Sequence, residues 1–139
     1  MKKILLLLII LCSVIYADAQ NNSWKIKLNT KTILSTSKED ENANTKKIKS
    51  TDWKKNGKLE IIFTEADPGV WWRSFLFFDE NDNQLLAKDS TTHAIVSMAS
   101  LRKLFAGKKE IHIYTSIAPV DPNIAIRIRR VHLCTLKLP

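Results

Sequence analysis

The chain has 139 residues, with 22 Lys and Arg against 14 Asp and Glu and a net charge of +8. That length suits one domain, and that charge favours polyanions such as anionic polysaccharide, lipid headgroups or nucleic acid as contacts. Three glycines and the absence of GxGxxG and GxxxxGK exclude dinucleotide and nucleoside-triphosphate enzymes, whose phosphate loops need them.

In chain order, the first feature is an export signal over residues 1–19. Lys2 and Lys3 form a short positive head, residues 4–15 are apolar, and Ala17 and Ala19 stand where a signal peptidase reads small residues. The apolar run falls short of the roughly 20 residues of a membrane span. Lipid attachment at Cys12 would want a small residue before it, and Leu11 stands there. Cleavage leaves residues 20–139 as a single domain, removes two Lys and one Asp, and lowers the net charge from +8 to +7. The expected location is the periplasm or the cell exterior. No second apolar run is long enough for a span, so no integral membrane protein is expected.

Alternation of apolar and polar residues, the sign of half-buried strands, dominates the rest of the chain. It covers residues 24–28, 58–64, 111–117 and 124–129, with shorter candidates at 33–35, 46–49, 85–88 and 92–96. Asn56-Gly57, Asp67-Pro68-Gly69 and residues 119–122 supply turns. Residues 36–45, polar and without period, read as an exposed, mobile loop. One helix is expected near 98–106. Ser97 is its N-cap, Val96 and Leu101 its hydrophobic staple, and Met98, Leu101, Leu104 and Phe105 its apolar face. Gly107 ends it. Near the carboxyl terminus the alternation changes phase, which places a β-bulge near Arg129-Arg130.

This pattern predicts an all-β, antiparallel sandwich of about seven or eight strands with one short crossover helix. The stretch LRKLFAGKKEIHIYT (101–115) resembles the helical corner and following strand of many immunoglobulin-like domains. The resemblance implies an immunoglobulin-like sandwich in the broad sense and no function. The whole chain is similar in style to small exported bacterial proteins of unknown function.

The stretch FFDENDNQLL (77–86) raises the question of calcium. Asp79, Asn81 and Asn83 fill the first three oxygen positions of a calcium loop, but Gln84 replaces its Gly and Ser90 its terminal Glu. The bland reading is a hairpin turn, since Asp and Asn tolerate left-handed backbone. A weak calcium site using Asp79, Asp82 and carbonyls is the other.

His112, His132 and Cys134 are the remaining candidates for metal or nucleophile chemistry. His132 and Cys134 share a face on a regular strand; two His and a thiolate can bind zinc, a Cys with a His can be a nucleophile pair, and both need convergence in space. Cys134, the only thiol after cleavage, allows no intrachain disulfide. Its apolar surroundings predict a buried, unreactive group. GxSxG is absent, and Glu60 with Glu65, or Asp79 with Glu80, would need a cleft that a short chain has little room for. No enzymatic activity, catalytic residue or cofactor is expected.

The best lead is Trp71-Trp72-Arg73 at the start of WWRSFLFF, a stretch apolar on both parities. Either the strand is covered on both sides or one face exposes aromatics, and exposed rings beside an Arg suit sugar stacking or a partner protein. Trp24 and Trp53 could extend the patch. The lysines between Lys25 and Lys58 are scattered and not interleaved with aromatics, so nucleic-acid binding lacks its stacking platform. The expected function is ligand binding, with carbohydrate favoured. The alternative is an envelope or extracellular protein partner that uses a strand edge or the aromatic face.

Overall fold

The computed structural model describes residues 21–69, 71–89 and 91–139. The export signal, Cys12 and Ser90 lie outside the described residues. In chain order the elements are β1 (Ser23–Leu28), β2 (Lys31–Thr36), β3 (Thr45–Lys47), α1 (Ser50–Lys54), β4 (Lys58–Thr64), β5 (Trp71–Phe78), β6 (Gln84–Lys88), β7 (His93–Ser97), α2 (Met98–Leu104), β8 (Glu110–Pro119) and β9 (Val131–Lys137). Sheet A has the order β2-β1-β4-β7 and sheet B the order β3-β9-β8-β5-β6. The all-β expectation holds. Among the described residues no helix is long and apolar enough to cross a membrane.

The alternation fixes which side chains enter the core. Trp24, Ile26 and Leu28 of β1, Leu59, Ile61 and Phe63 of β4, and Ala94 and Val96 of β7 point inward from sheet A. Phe75, Phe77, Ile111, Ile113 and Leu136 answer from sheet B, and all belong to one cluster. Each fully buried Leu, Ile or Phe contributes about 1.5–3 kcal/mol. Trp24 links the layers: its ring stacks on Phe63 with centroids 6.0 Å apart, and its Nε1 donates to the Leu133 carbonyl of β9 at 3.1 Å. The capped helix forms as expected, with Ser97 Oγ accepting from Ser100 N at 3.1 Å and Met98 and Leu101 buried. It carries the chain from sheet A to sheet B, and Gly107 follows at φ +76°.

Four expectations need correction. First, sheet B is mixed, because β3 runs parallel to β9. The described residues also hold nine strands and a second helix, α1, whose Trp53 packs against the core. Second, residues 124–130 form no strand. Both edges of β8 are already taken by β5 and β9, so the alternating isoleucines find no ladder, and Ile124 and Ile128 stand 47% and 66% exposed. Third, the bulge lies within β9. Ile113 faces Cys134 while Tyr114 faces His132, which leaves Leu133 as the extra residue. Fourth, the 36–45 segment is tied down. Asn44 is buried, donates from Nδ2 to the Lys38 carbonyl and accepts from Thr135 N at 3.1 Å. A smaller departure concerns α2, where Leu104 is exposed at the edge of the apolar face.

Candidate functional site

The amino-terminal half of β5 extends past its edge partner. β6 pairs only with residues 75–78, while β8 runs beside the whole of β5 from Trp71 to Phe78. The free edge is met by the segment after β6, where Thr91 N donates to the Arg73 carbonyl at 2.9 Å. Strand parity then divides the three lead residues. Trp71 and Arg73 turn toward the space between the sheets, and Trp72 turns outward and is 56% exposed. Trp71 and Trp72 therefore do not form one flat platform.

Arg73 is buried and held in place through two of its nitrogens. Its Nε donates to Glu65 Oε1 at 2.8 Å, an Nη donates to Thr115 Oγ1 at 2.9 Å, and its guanidinium carbon lies 3.7 Å from the centre of the Phe63 ring. Three recesses meet around it. One of about 410 Å³ is lined by Trp24, Phe63, Arg127 and Arg129 with Arg73. A second, about 310 Å³, adds Glu65 and Trp71. A third, about 250 Å³, lies between Trp71, Trp72, Thr91 and Thr92, again with Arg73. Aromatic faces, a guanidinium, a carboxylate and hydroxyls thus border one end of the two-sheet structure. Such a border can stack a sugar ring and hydrogen-bond its hydroxyls.

At a different place, between the β1–β2 hairpin and the β3–α1 segment, a recess of about 450 Å³ gathers Lys31, Lys46, Lys47, Lys49 and Lys55 with Asp52. These lysines are scattered in the sequence. The parallel pairing of β3 with β9 places two of them, Lys46 and Lys47, beside the hairpin.

The stretch FFDENDNQLL forms the turn between β5 and β6. Asp79 N donates to the Asn83 carbonyl at 3.0 Å, and Asp82 N to the Asp79 carbonyl at 3.1 Å. Asp82 adopts φ +62°. The Asp79 carboxylate, 1% exposed, accepts from Asn81 N, Asn83 N and Asn83 Nδ2. Its Oδ2 also meets Lys108 Nζ at 2.6 Å. Asn81 and Asn83 offer N–H groups here, and Lys108 supplies the positive charge. The Lys108 ammonium, then the Asn83 amide, hold the Asp79 carboxyl well below the usual carboxylate range.

The histidines and Cys134 separate. Leu133 is the extra residue of the bulge, so Cys134 points into the core opposite Ile113 while His132 stays opposite Tyr114 on the outer face of sheet B. Burial pushes the Cys134 thiol up to about 12, the inert state the sequence predicts. His112 and His132 do come together, through Thr135: its Oγ1 lies 2.8 Å from His132 Nε2 and 3.1 Å from His112 Nδ1. Glu110 Oε2 is 2.9 Å from His112 Nε2. Burial lowers the His132 pKa.

The proposed carboxylate pairs do not assemble. Glu60 bonds His93 on the outer face of sheet A, Glu65 holds Arg73, and Asp79 holds Lys108. Trp24 and Trp53 belong to the core and its margin. Sequence reasoning missed Arg127 and Arg129, which line the largest of the Arg73 recesses, because it placed them in a strand. No family model, curated protein or solved structure matches this chain.

Proposed function

We propose that the protein is an exported, non-enzymatic carbohydrate-binding module, an immunoglobulin-like sandwich in the broad sense, which takes its ligand around Trp71, Trp72 and Arg73. The observation that supports this reading is that three recesses share Arg73, two of them also lined by Trp71 and one by Trp72, an indole that is 56% exposed. The fold gains little from a Trp left in water, and a large exposed ring beside polar groups marks binding surfaces. Arg127 and Arg129 at the mouth, and the net charge of +7 left after cleavage, favour acidic glycans over neutral ones.

The test is a glycan array that includes neutral and acidic saccharides, probed with the wild-type protein and with Trp71→Ala and Trp72→Ala. The expected result is retention of acidic glycans, weakened on the order of tenfold by Trp72→Ala, which equals about 1.4 kcal/mol. Retention of no glycan, or retention unchanged in both variants, overturns the reading.

A second reading has its own observation. Val120, Ile124 and Ile128 are 47%, 47% and 66% exposed in the segment joining β8 to β9, which also carries Arg127, Arg129 and Arg130. Exposed aliphatic side chains among arginines suit a protein partner in the envelope or outside the cell. Pull-down from an envelope extract that is lost in an Ile124→Ser/Ile128→Ser variant would favour it over glycan binding.

A further inference from the structure

The outer face of sheet B holds a second constellation, away from Trp71–Arg73. Glu41, in the turn before β3, presents a carboxylate oxygen to His112 of β8 and His132 of β9. One ligand atom from each residue lies within 4.8 Å of the others. The hydrogen bonds leave one atom unused. With the Nε2 proton of His112 given to Glu110, the Thr135 hydroxyl donates to His112 Nδ1 and accepts from His132 Nε2. Nδ1 of His132 then carries a lone pair with no donor, and it is shut from solvent without a partner. A buried nitrogen of this kind in a residue only 5% exposed costs free energy unless something binds it.

We propose that Glu41, His112 and His132 form a binding site for a divalent transition ion of the zinc class. Two imidazoles and one carboxylate are a zinc donor set that leaves a fourth position for water or a ligand. The nitrogen donors select against calcium and magnesium. The surroundings supply what such sites use. Thr135 orients His132 through Nε2 and leaves its Nδ1 for the ion, and Glu110 orients His112 through Nε2, while an ion bound at His112 Nδ1 takes the place of the Thr135 hydroxyl there. Bound ligand atoms around zinc sit about 3.4 Å apart, so the three groups must close up by roughly an ångström. Glu41 is exposed and lies in a turn, so it is the group free to move. The β9 bulge at Leu133 makes the site, because without it His132 would not share the outer face with Thr135.

Cobalt(II) is the probe, because four-coordinate cobalt absorbs visibly. Titration of the protein should give one equivalent of binding with an intense visible band that zinc abolishes. Zinc should also raise the melting temperature, and calcium should leave it unchanged. Glu41→Gln and His112→Gln should each weaken zinc binding by about tenfold or more while the far-UV circular dichroism stays that of wild type. A lack of both the cobalt band and the zinc-dependent shift in melting temperature overturns the proposal. So does equal zinc affinity in wild type and Glu41→Gln, a variant whose exposed position keeps the fold intact. Glycan retention by the array does not depend on this site, so the two readings fail independently.

Discussion

At the scale of single residues, Arg73 and Trp72 are neighbours with opposite duties. Arg73 is locked between Glu65, Thr115 and the Phe63 ring, with the Arg73 and Glu65 side chains each 7% exposed. Removing one partner of a buried pair leaves the other charge uncompensated, which costs more than the pair itself contributed. Arg73→Met should therefore lower the unfolding free energy by about 3 kcal/mol, measured by urea denaturation. Adding Glu65→Gln should restore part of that loss, because the stranded carboxylate is gone. A double variant as unstable as Arg73→Met alone would show that packing on Phe63, and not charge, sets the cost. Trp72, being exposed, should be replaceable with a change within about 0.5 kcal/mol, which is why it can serve as the binding probe. Composition and parity show Trp72 on one face and Trp71 and Arg73 on the other. They do not show which face meets water, because that depends on which face packs against sheet A, where Arg73 meets Phe63.

At the scale of elements, the β5–β6 turn shows how an acidic stretch can look like a metal loop and act as a staple. Asp79 organises the turn through Asn81 and Asn83 and ties it to the segment after α2 through Lys108. Its carboxyl sits below the usual range because those donors favour the charged form. The sign comes from linkage: the unfolded chain takes up this proton in the ordinary carboxylate range, while the folded chain resists it. The stabilisation is therefore complete at neutral pH and is lost as pH falls below about 4. Thermal melts from pH 7 to pH 2 should show an acid-side fall in melting temperature that is smaller in Asp79→Asn than in wild type. Equal acid slopes in the two proteins would assign the fall to other carboxylates. The turn itself was legible from Asp and Asn at alternate positions. Lys108 was not, since the partner lies 29 residues away and no local pattern points to it.

At the scale of the whole molecule, local periodicity identified strands wherever a partner existed and misled where none did. Residues 58–64 and 111–117 alternate and sit in the middle of sheets. Residues 124–128 alternate just as well, yet β5 and β9 already occupy both edges of β8, and Ile124 and Ile128 stay in water. The polar 36–45 segment errs the other way. It lacks any period but is fastened by long-range bonds: Asn44 accepts from Thr135, and Glu39 accepts from His132 N at 2.9 Å and pairs with Arg129. The His132–Cys134 reading failed for a related reason, since one extra residue at Leu133 reverses the faces that regular spacing assigns. Amide hydrogen exchange separates these two segments directly, because protection follows hydrogen bonding and burial. The amides of Asn44, His132 and Thr135, each bonded, should exchange slowly. Those of residues 125–130, which lie outside any ladder, should exchange close to the unfolded rate, and trypsin should nick after Arg127 or Arg129 before it cuts after Lys38. Protection across 125–130 in the free protein would restore the strand that the alternation suggests. Protection that arises there only when glycan or a protein partner is added would instead identify which of the two occupies the arginine-rich mouth.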